Sequence, residues 1–162
     1  MIVIGYIGDH KKDTLSVRLG WLLIRFVQSG EYKRITHTES VLEGTHYSNC
    51  TIASSSARDG GVRIKHNVAL TKCNWVAVDV PTWDANVAAI WFYNNRGKAY
   101  DWWGAAASVL FFLRGALDKF FCNESCAAPF IPTPEQYTPS KFWAIAMAMP
   151  GAKDVTDQFF NN

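Results

Sequence analysis

Residues 34–43 read RITHTESVLE, and their alternation decides the fold. Successive side chains of an extended chain point to opposite faces. Ile35, His37, Glu39 and Val41 therefore share one side of a strand, and Thr36, Thr38, Ser40 and Leu42 share the other. The same reading extends outward. Residues 2–7 form a short β-like run ending at Gly8-Asp9, and residues 49–54 and 62–65 read as strands separated by the turn-rich SSSARDGG. Residues 75–80 form another, with Trp75, Ala77 and Asp79 opposite Val76, Val78 and Val80.

Helical spacing takes over elsewhere. Leu15, Leu19, Leu22, Leu23, Phe26 and Val27 fall on one helix face that ends near Ser29-Gly30. Thr82 is placed to cap a helix from Trp83 to about Asn95, with Gly97 as its C-terminal stop. A second helix is expected over 100–117, and a short one over 121–128. Thr138-Pro139, a capping residue followed by proline at the first helical position, opens a last helix to about Met149. Strands gather in the first half and helices in the second. That order predicts an α+β fold, an antiparallel sheet packed against helices, in a single domain over 1–162.

Composition agrees. The chain has 162 residues, of which 49% are hydrophobic and 19% charged, enough to build one core. A net charge of +2 lacks the electrostatic footprint of a nucleic-acid binder. The N-terminal MIVIGYIGDHKK has no basic lead-in and does not read as a signal peptide. The longest apolar run, over 102–113, falls short of the ~20 residues a membrane span requires. Four cysteines are too few for a disulfide scaffold, and reduced thiols are expected.

The chemistry-bearing candidates are Cys122, His37 and Glu39. Cys122 lies in FFCNESCAAPF, at the start of a helix, where backbone N–H groups favour thiolate. His37 stands on a strand face, suited to take a thiol proton and return it to a leaving group. Glu39, two residues on and on the same face, would orient the imidazole. Ser54, Ser55 and Ser56 are rivals for that orienting role. The plainer alternative is a buried cysteine and an unrelated strand histidine, since cysteine commonly packs as a small hydrophobe. Cys122 and Cys126 share a helix face, so Cys126 would pack beneath the site, and Cys50 and Cys73 are also expected to be packing residues. The pairs His46/Cys50 and Cys122/Cys126 make only a weak zinc pattern. RDGGVRIK lacks the spacing of a phosphate loop and reads as a hairpin with a solvated basic edge. No metal and no cofactor is expected.

Taken in order, THTES, SSSARDGGVR, GKAYDWWG, FFCNES and QYTPSKFW resemble the circularly permuted branch of the NlpC-like papain-fold amidases. That branch includes the YiiX-like and lecithin:retinol acyltransferase-like proteins. In it the histidine strand precedes the cysteine helix. The resemblance implies a papain-like, circularly permuted fold with Cys122 as nucleophile and His37 as general base. Glu39 would be the third residue, ahead of Ser54. Tyr100 and Asp101 become scaffold residues near the site, and Glu124 supports the nucleophile loop. Cys-Asn-Glu stands here in place of the more usual Cys-Ser-Glu. A cysteine peptidase or amidase is implied, passing through an acyl-enzyme, with the Cys122 backbone N–H in the oxyanion hole. The implied substrates are peptidoglycan stem-peptide amides or, secondarily, lipid esters. A bacteriophage protein would fit, made in the cytoplasm and carried in the virion with other virion proteins, or delivered to the periplasm and cell wall. Two alternatives stand beside it: a structural or interaction protein of the virion on the same fold, and a lipid acyltransferase or thioesterase.

Overall fold

A computed structural model describes residues 1–8, 18, 22, 28, 30–105 and 119–161. Its six strands are β1 (Ile2–Tyr6), β2 (His37–Glu43), β3 (Cys50–Ser56), β4 (Gly61–Val68), β5 (Trp75–Asp79) and β6 (Lys153–Asp154). They form one antiparallel sheet in the order β4-β3-β2-β1-β5-β6. Four described helices accompany it: α1 (Ala85–Asn95), α2 (Cys122–Ala127), α3 (Pro139–Ala148) and α4 (Thr156–Asn161). The architecture is α+β.

The period-two reading of β2 predicts two differently covered faces, and the sheet has them. On one face Val3, Ala53, Ile64 and Val78 pack with Phe92 of α1, Cys126 of α2 and Phe142, Trp143 and Ala146 of α3. On the other Ile4, Val41, Ile52 and Ala77 pack with Phe159 and Phe160 of α4. Thr38 and Ser40 belong to the first face, where Cys126 Sγ lies 3.5 Å from the Thr38 carbonyl. His37 and Glu39 belong to the second. There they border a cleft of about 210 Å³ with Tyr6, Ile52, Lys65 and Trp75.

Several boundaries differ from the sequence reading. Helix α1 is capped by Asp84 rather than Thr82, its carboxylate accepting the Asn86 amide at 2.8 Å. Trp83, expected as the first helical residue, is 5% exposed and lies in the core, stacked on Phe130 and Phe142. Burying that ring forces the helix to begin later. Ser55 and Ser56 continue β3 instead of forming a turn. The strand β6 and helix α4 were not foreseen, because two strand residues and six helical ones carry little periodicity. Thr138 caps α3 as expected, accepting the Lys141 amide at 3.3 Å. Gly97 takes a left-handed φ of 85° just past α1. The helix expected over 15–27 and most of the one over 100–117 lie outside the described residues.

One turn ties the sheet edge to the chain entering the candidate site. Ala57–Asp59 form a 3-10 turn between β3 and β4, followed by Gly60 and Gly61 at φ 80° and 150°. The Tyr100 amide donates to the Gly60 carbonyl, and the Val62 amide to the Lys98 carbonyl, both at 2.9 Å. Tyr100 then pairs with Phe120, two residues before Cys122. A side chain on Gly61 would place Cβ 2.0 Å from the Lys98 carbonyl oxygen, whereas one on Gly60 meets nothing within 4 Å. Gly60→Ala is therefore expected to destabilise by about 1 kcal/mol, the left-handed backbone cost alone. Gly61→Ala should destabilise substantially more, as read from the two denaturant midpoints at constant slope.

Candidate functional site

The site begins where two strands part. Strand β2 pairs with β3 through Ser40–Ala53, Val41–Ile52 and Glu43–Thr51, and the pairing ends there. Beyond it His37, Thr38 and Glu39 remain paired with β1, while Ser54, Ser55 and Ser56 remain paired with β4. The N-terminal turn of α2 enters the gap. The backbone groups released by the parting find new partners. Ser54 Oγ donates to the Thr38 carbonyl at 2.8 Å and lies 3.4 Å from the Cys122 carbonyl. The Ser55 amide donates to Ser125 Oγ at 2.8 Å, and Ser125 Oγ donates in turn to the Cys122 carbonyl at 2.7 Å. Ser55 Oγ donates to the Phe120 carbonyl. Buried backbone groups must be paired, and hydroxyls here do what the missing ladder would have done.

Cys122 is thereby fixed as the first residue of α2, 2% exposed. Its thiol receives the Thr38 backbone N–H, one residue from His37, and lies 3.7 Å from Asn123 Oδ1. Burial nevertheless dominates and pushes the thiol up to about 12. The resting group is a neutral thiol, not the thiolate that its helix-start position suggests. Asn123, which stands where the resembled motif has serine, donates its amide to the Tyr137 carbonyl and pins α2 to the segment before α3.

Across the gap, His37 Nε2 lies 3.1 Å from Glu39 Oε1. The same oxygen accepts Arg63 Nη2 at 2.6 Å. Burial favours a neutral carboxyl at Glu39, but the Arg63 charge and the His37 hydrogen bond bring it down to about 2, so it is an anion. His37 is held below its ordinary value, because burial outweighs the attraction of Glu39 and the Arg63 and Arg58 charges oppose protonation. A neutral imidazole beside an anion that can only accept must donate through Nε2. The ring lone pair is then on Nδ1.

Among the described residues, then, the structure joins His37 to Glu39 but makes no hydrogen bond between His37 and Cys122. What links them is the Thr38 backbone, whose N–H meets the Cys122 thiol one residue from His37. Ser54 joins the Cys122 carbonyl rather than the imidazole. Tyr100 and Asp101 are buried beside α2, with Asp101 accepting the Gly104 amide at 2.8 Å. Glu124 accepts the Phe121 amide at 3.2 Å, closing the entrance to α2. Cys50 and Cys126 are buried, but Cys73 is exposed and is not a packing residue. The two Cys/His pairs of the zinc pattern stay apart: His46 bonds Ser48 at 2.6 Å, and Cys126 faces Thr38. No group of three or more metal-ligating side chains occurs among the described residues, and no described helix is long and apolar enough to cross a membrane.

The residue that sequence reading missed is Arg63. It was read as part of a solvated basic edge, yet its side chain is 13% exposed and is held by both Glu39 and Asp59. Register is the signal that finds it. Arg63 pairs with Ser54 on β4, one strand beyond β3, on the face that carries Glu39.

No family model matches the chain, and no curated protein and no solved structure is significantly similar to it. The geometry stands alone.

Glu124 supplies a test of the electrostatics. Burial, with Asp101 and Glu135 nearby, raises its carboxyl to about 8 against the opposing Phe121 amide. The folded state therefore binds more protons than the unfolded chain between about pH 4.5 and 8, and stability falls as pH rises through that window. Glu124→Gln keeps the acceptor and removes the titration. It should stabilise the protein at pH 8 by the order of 1 kcal/mol or more and flatten the decline, as measured by urea unfolding at pH 5 and pH 8.

Proposed function

We propose that the chain is a cysteine hydrolase of the circularly permuted, NlpC-like papain type, cleaving an amide bond of the kind found in peptidoglycan stem peptides. The observation that carries the reading is the gap between β2 and β3, where a helix-start cysteine meets the strand that presents an oriented histidine. In the proposed reaction His37 Nδ1 takes the Cys122 proton as the sulfur attacks the carbonyl, forming a C–S bond and a tetrahedral oxyanion. The Cys122 N–H is a natural donor to that oxyanion. Collapse breaks the C–N bond, and His37 returns the proton to the departing amine. Water, deprotonated by His37, then breaks the thioester and releases the acid and the thiol.

Because thiol and imidazole are both neutral at rest, proton transfer accompanies attack rather than preceding it. Activation requires a bound carbonyl. The acid limb of the rate should accordingly follow His37 and lie below the ordinary imidazole value, activity falling as pH drops through it.

The buried thiol and the absence of a direct hydrogen bond from Cys122 to His37 favour a second reading, a structural or interaction protein of a virion on the same fold. A lipid acyltransferase or thioesterase would share the nucleophile and differ in substrate.

Two measurements separate these readings. Iodoacetamide should label exposed Cys73 first and Cys122 slowly, whereas an electrophile carried on an acyl-dipeptide should label Cys122 preferentially, and only with His37 intact. Incubation with purified cell-wall fragments should release new amino groups, with a loss of about 10²-fold or more in Cys122→Ala and His37→Ala. Ester lipids cleaved in place of the wall fragments would select the lipid enzyme. No turnover of either, with Cys122 inert to both reagents, would select the structural protein.

A further inference from the structure

We propose that Arg63 is the positioning residue of this site: clamped between Asp59 and Glu39, its guanidinium sets which nitrogen of His37 carries the proton. The proposal concerns His37 and Glu39 and does not require that Cys122 turn over a substrate. If the hydrolase reading holds, it explains how the base is prepared.

Arg63 makes three contacts that converge on the site. Nη2 donates to Glu39 Oε1 at 2.6 Å, Nε donates to Asp59 Oδ2 at 2.9 Å, and Nη1 donates to the Ser54 carbonyl at 3.3 Å. Asp59 is itself braced by Lys65, 2.8 Å away. Two carboxylates on opposite sides leave the planar guanidinium little freedom to turn, and its fork geometry makes the arrangement specific to arginine. The Ser54 contact ties the clamp to the other flank of the gap, since Ser54 Oγ lies 3.4 Å from the Cys122 carbonyl.

The consequence follows from donors and acceptors. Glu39 is 4% exposed, and a carboxyl so placed tends to stay protonated unless a charge partner keeps it ionised. A protonated Glu39 could donate to His37 Nε2, which would put the imidazole proton on Nδ1 and leave it unable to accept one from a thiol. An ionised Glu39 can only accept, which forces the proton onto Nε2 and leaves Nδ1 as the base. The two arrangements differ by one proton held on the pair, and the Arg63 charge disfavours the protonated one. Among the described residues, the titratable and charged groups around His37 are Glu39 on β2, Tyr6 on β1, Arg63 and Lys65 on β4, and Arg58 and Asp59 in the β3–β4 turn, with the Trp75 ring on β5 centred 6.4 Å from the imidazole.

The test is the nitrogen NMR spectrum of the His37 ring, followed through pH in the full chain and its variants. In the wild type, His37 should be the Nε2–H tautomer above its midpoint, and the Arg63 Nε–H signal should move with that same midpoint. Arg63→Gln removes the charge that disfavours a proton on the His37–Glu39 pair, so the pair should take up that proton about one unit higher in pH, and the Nδ1–H form should gain population below that midpoint. Arg63→Lys keeps the charge without the fork, so its midpoint should stay close to wild type. If Arg63→Gln leaves midpoint and tautomer unchanged, or Arg63→Lys shifts the midpoint as far as Gln does, the proposal is overturned. Should the Gln variant not fold, the wild-type spectrum still decides: an Arg63 signal indifferent to the His37 titration, or a wild-type Nδ1–H tautomer, would equally overturn it. The hydrolase reading fails separately, on loss of turnover and labelling at Cys122.

Discussion

The structure depends on one departure from regular pairing, the separation of β2 and β3 beyond Ser40 and Ala53. A continuous ladder would have sealed the sheet and shut α2 out. The separation exposes the Thr38 N–H to the Cys122 thiol and the Thr38 carbonyl to the Ser54 hydroxyl. Ser54, Ser55 and Ser125 restore the lost backbone partners. Register shifts in β2–β3 and β3–β4 lie farther along the strands, at Val41–Glu43 and Cys50–Ile52. The helix is held in the gap by hydroxyl chemistry, and the apolar residues behind it, Cys126 and Ala127, anchor it to the main core.

Around that gap, environment assigns opposite states to similar groups. Glu39 and Glu124 are both buried carboxyls, yet Glu39 faces a guanidinium and an imidazole and is ionised, while Glu124 faces one amide and two acidic neighbours and favours its proton. Neutral His37 lies beside the Arg63–Glu39–Asp59 ion-pair chain, with Arg58 and Lys65 adding positive charge at its edge. In the proposed reaction, charge develops only as the sulfur attacks, where oriented backbone donors gain most.

Much of this was legible in the sequence, and the reasons differ by element. Period-two spacing placed His37 and Glu39 side by side, because strand geometry alone determines that pairing. Thr138 and Gly97 marked helix ends because capping is a local interaction. Asp84 displaced Thr82 as a cap because burial of Trp83 is a tertiary demand that local signals do not carry. Arg63 was invisible for a similar reason: its partner lies 24 residues away, on a strand separated from its own by β3. The resting state of Cys122 was misjudged because a helix start favours thiolate, while the burial that outweighs it appears only once α2 is seated between the strands.

The most direct test of the account is a crystal structure of the chain after Cys122 has reacted with an electrophile carried on an acyl-dipeptide. A single adduct on Cys122 Sγ is expected, with His37 Nδ1 within hydrogen-bond reach of the reacted group, about 3.2 Å or less, and Nε2 still on Glu39. An adduct whose acyl group lies away from the gap, with the imidazole directed toward Trp75 and remote from the sulfur, would contradict it.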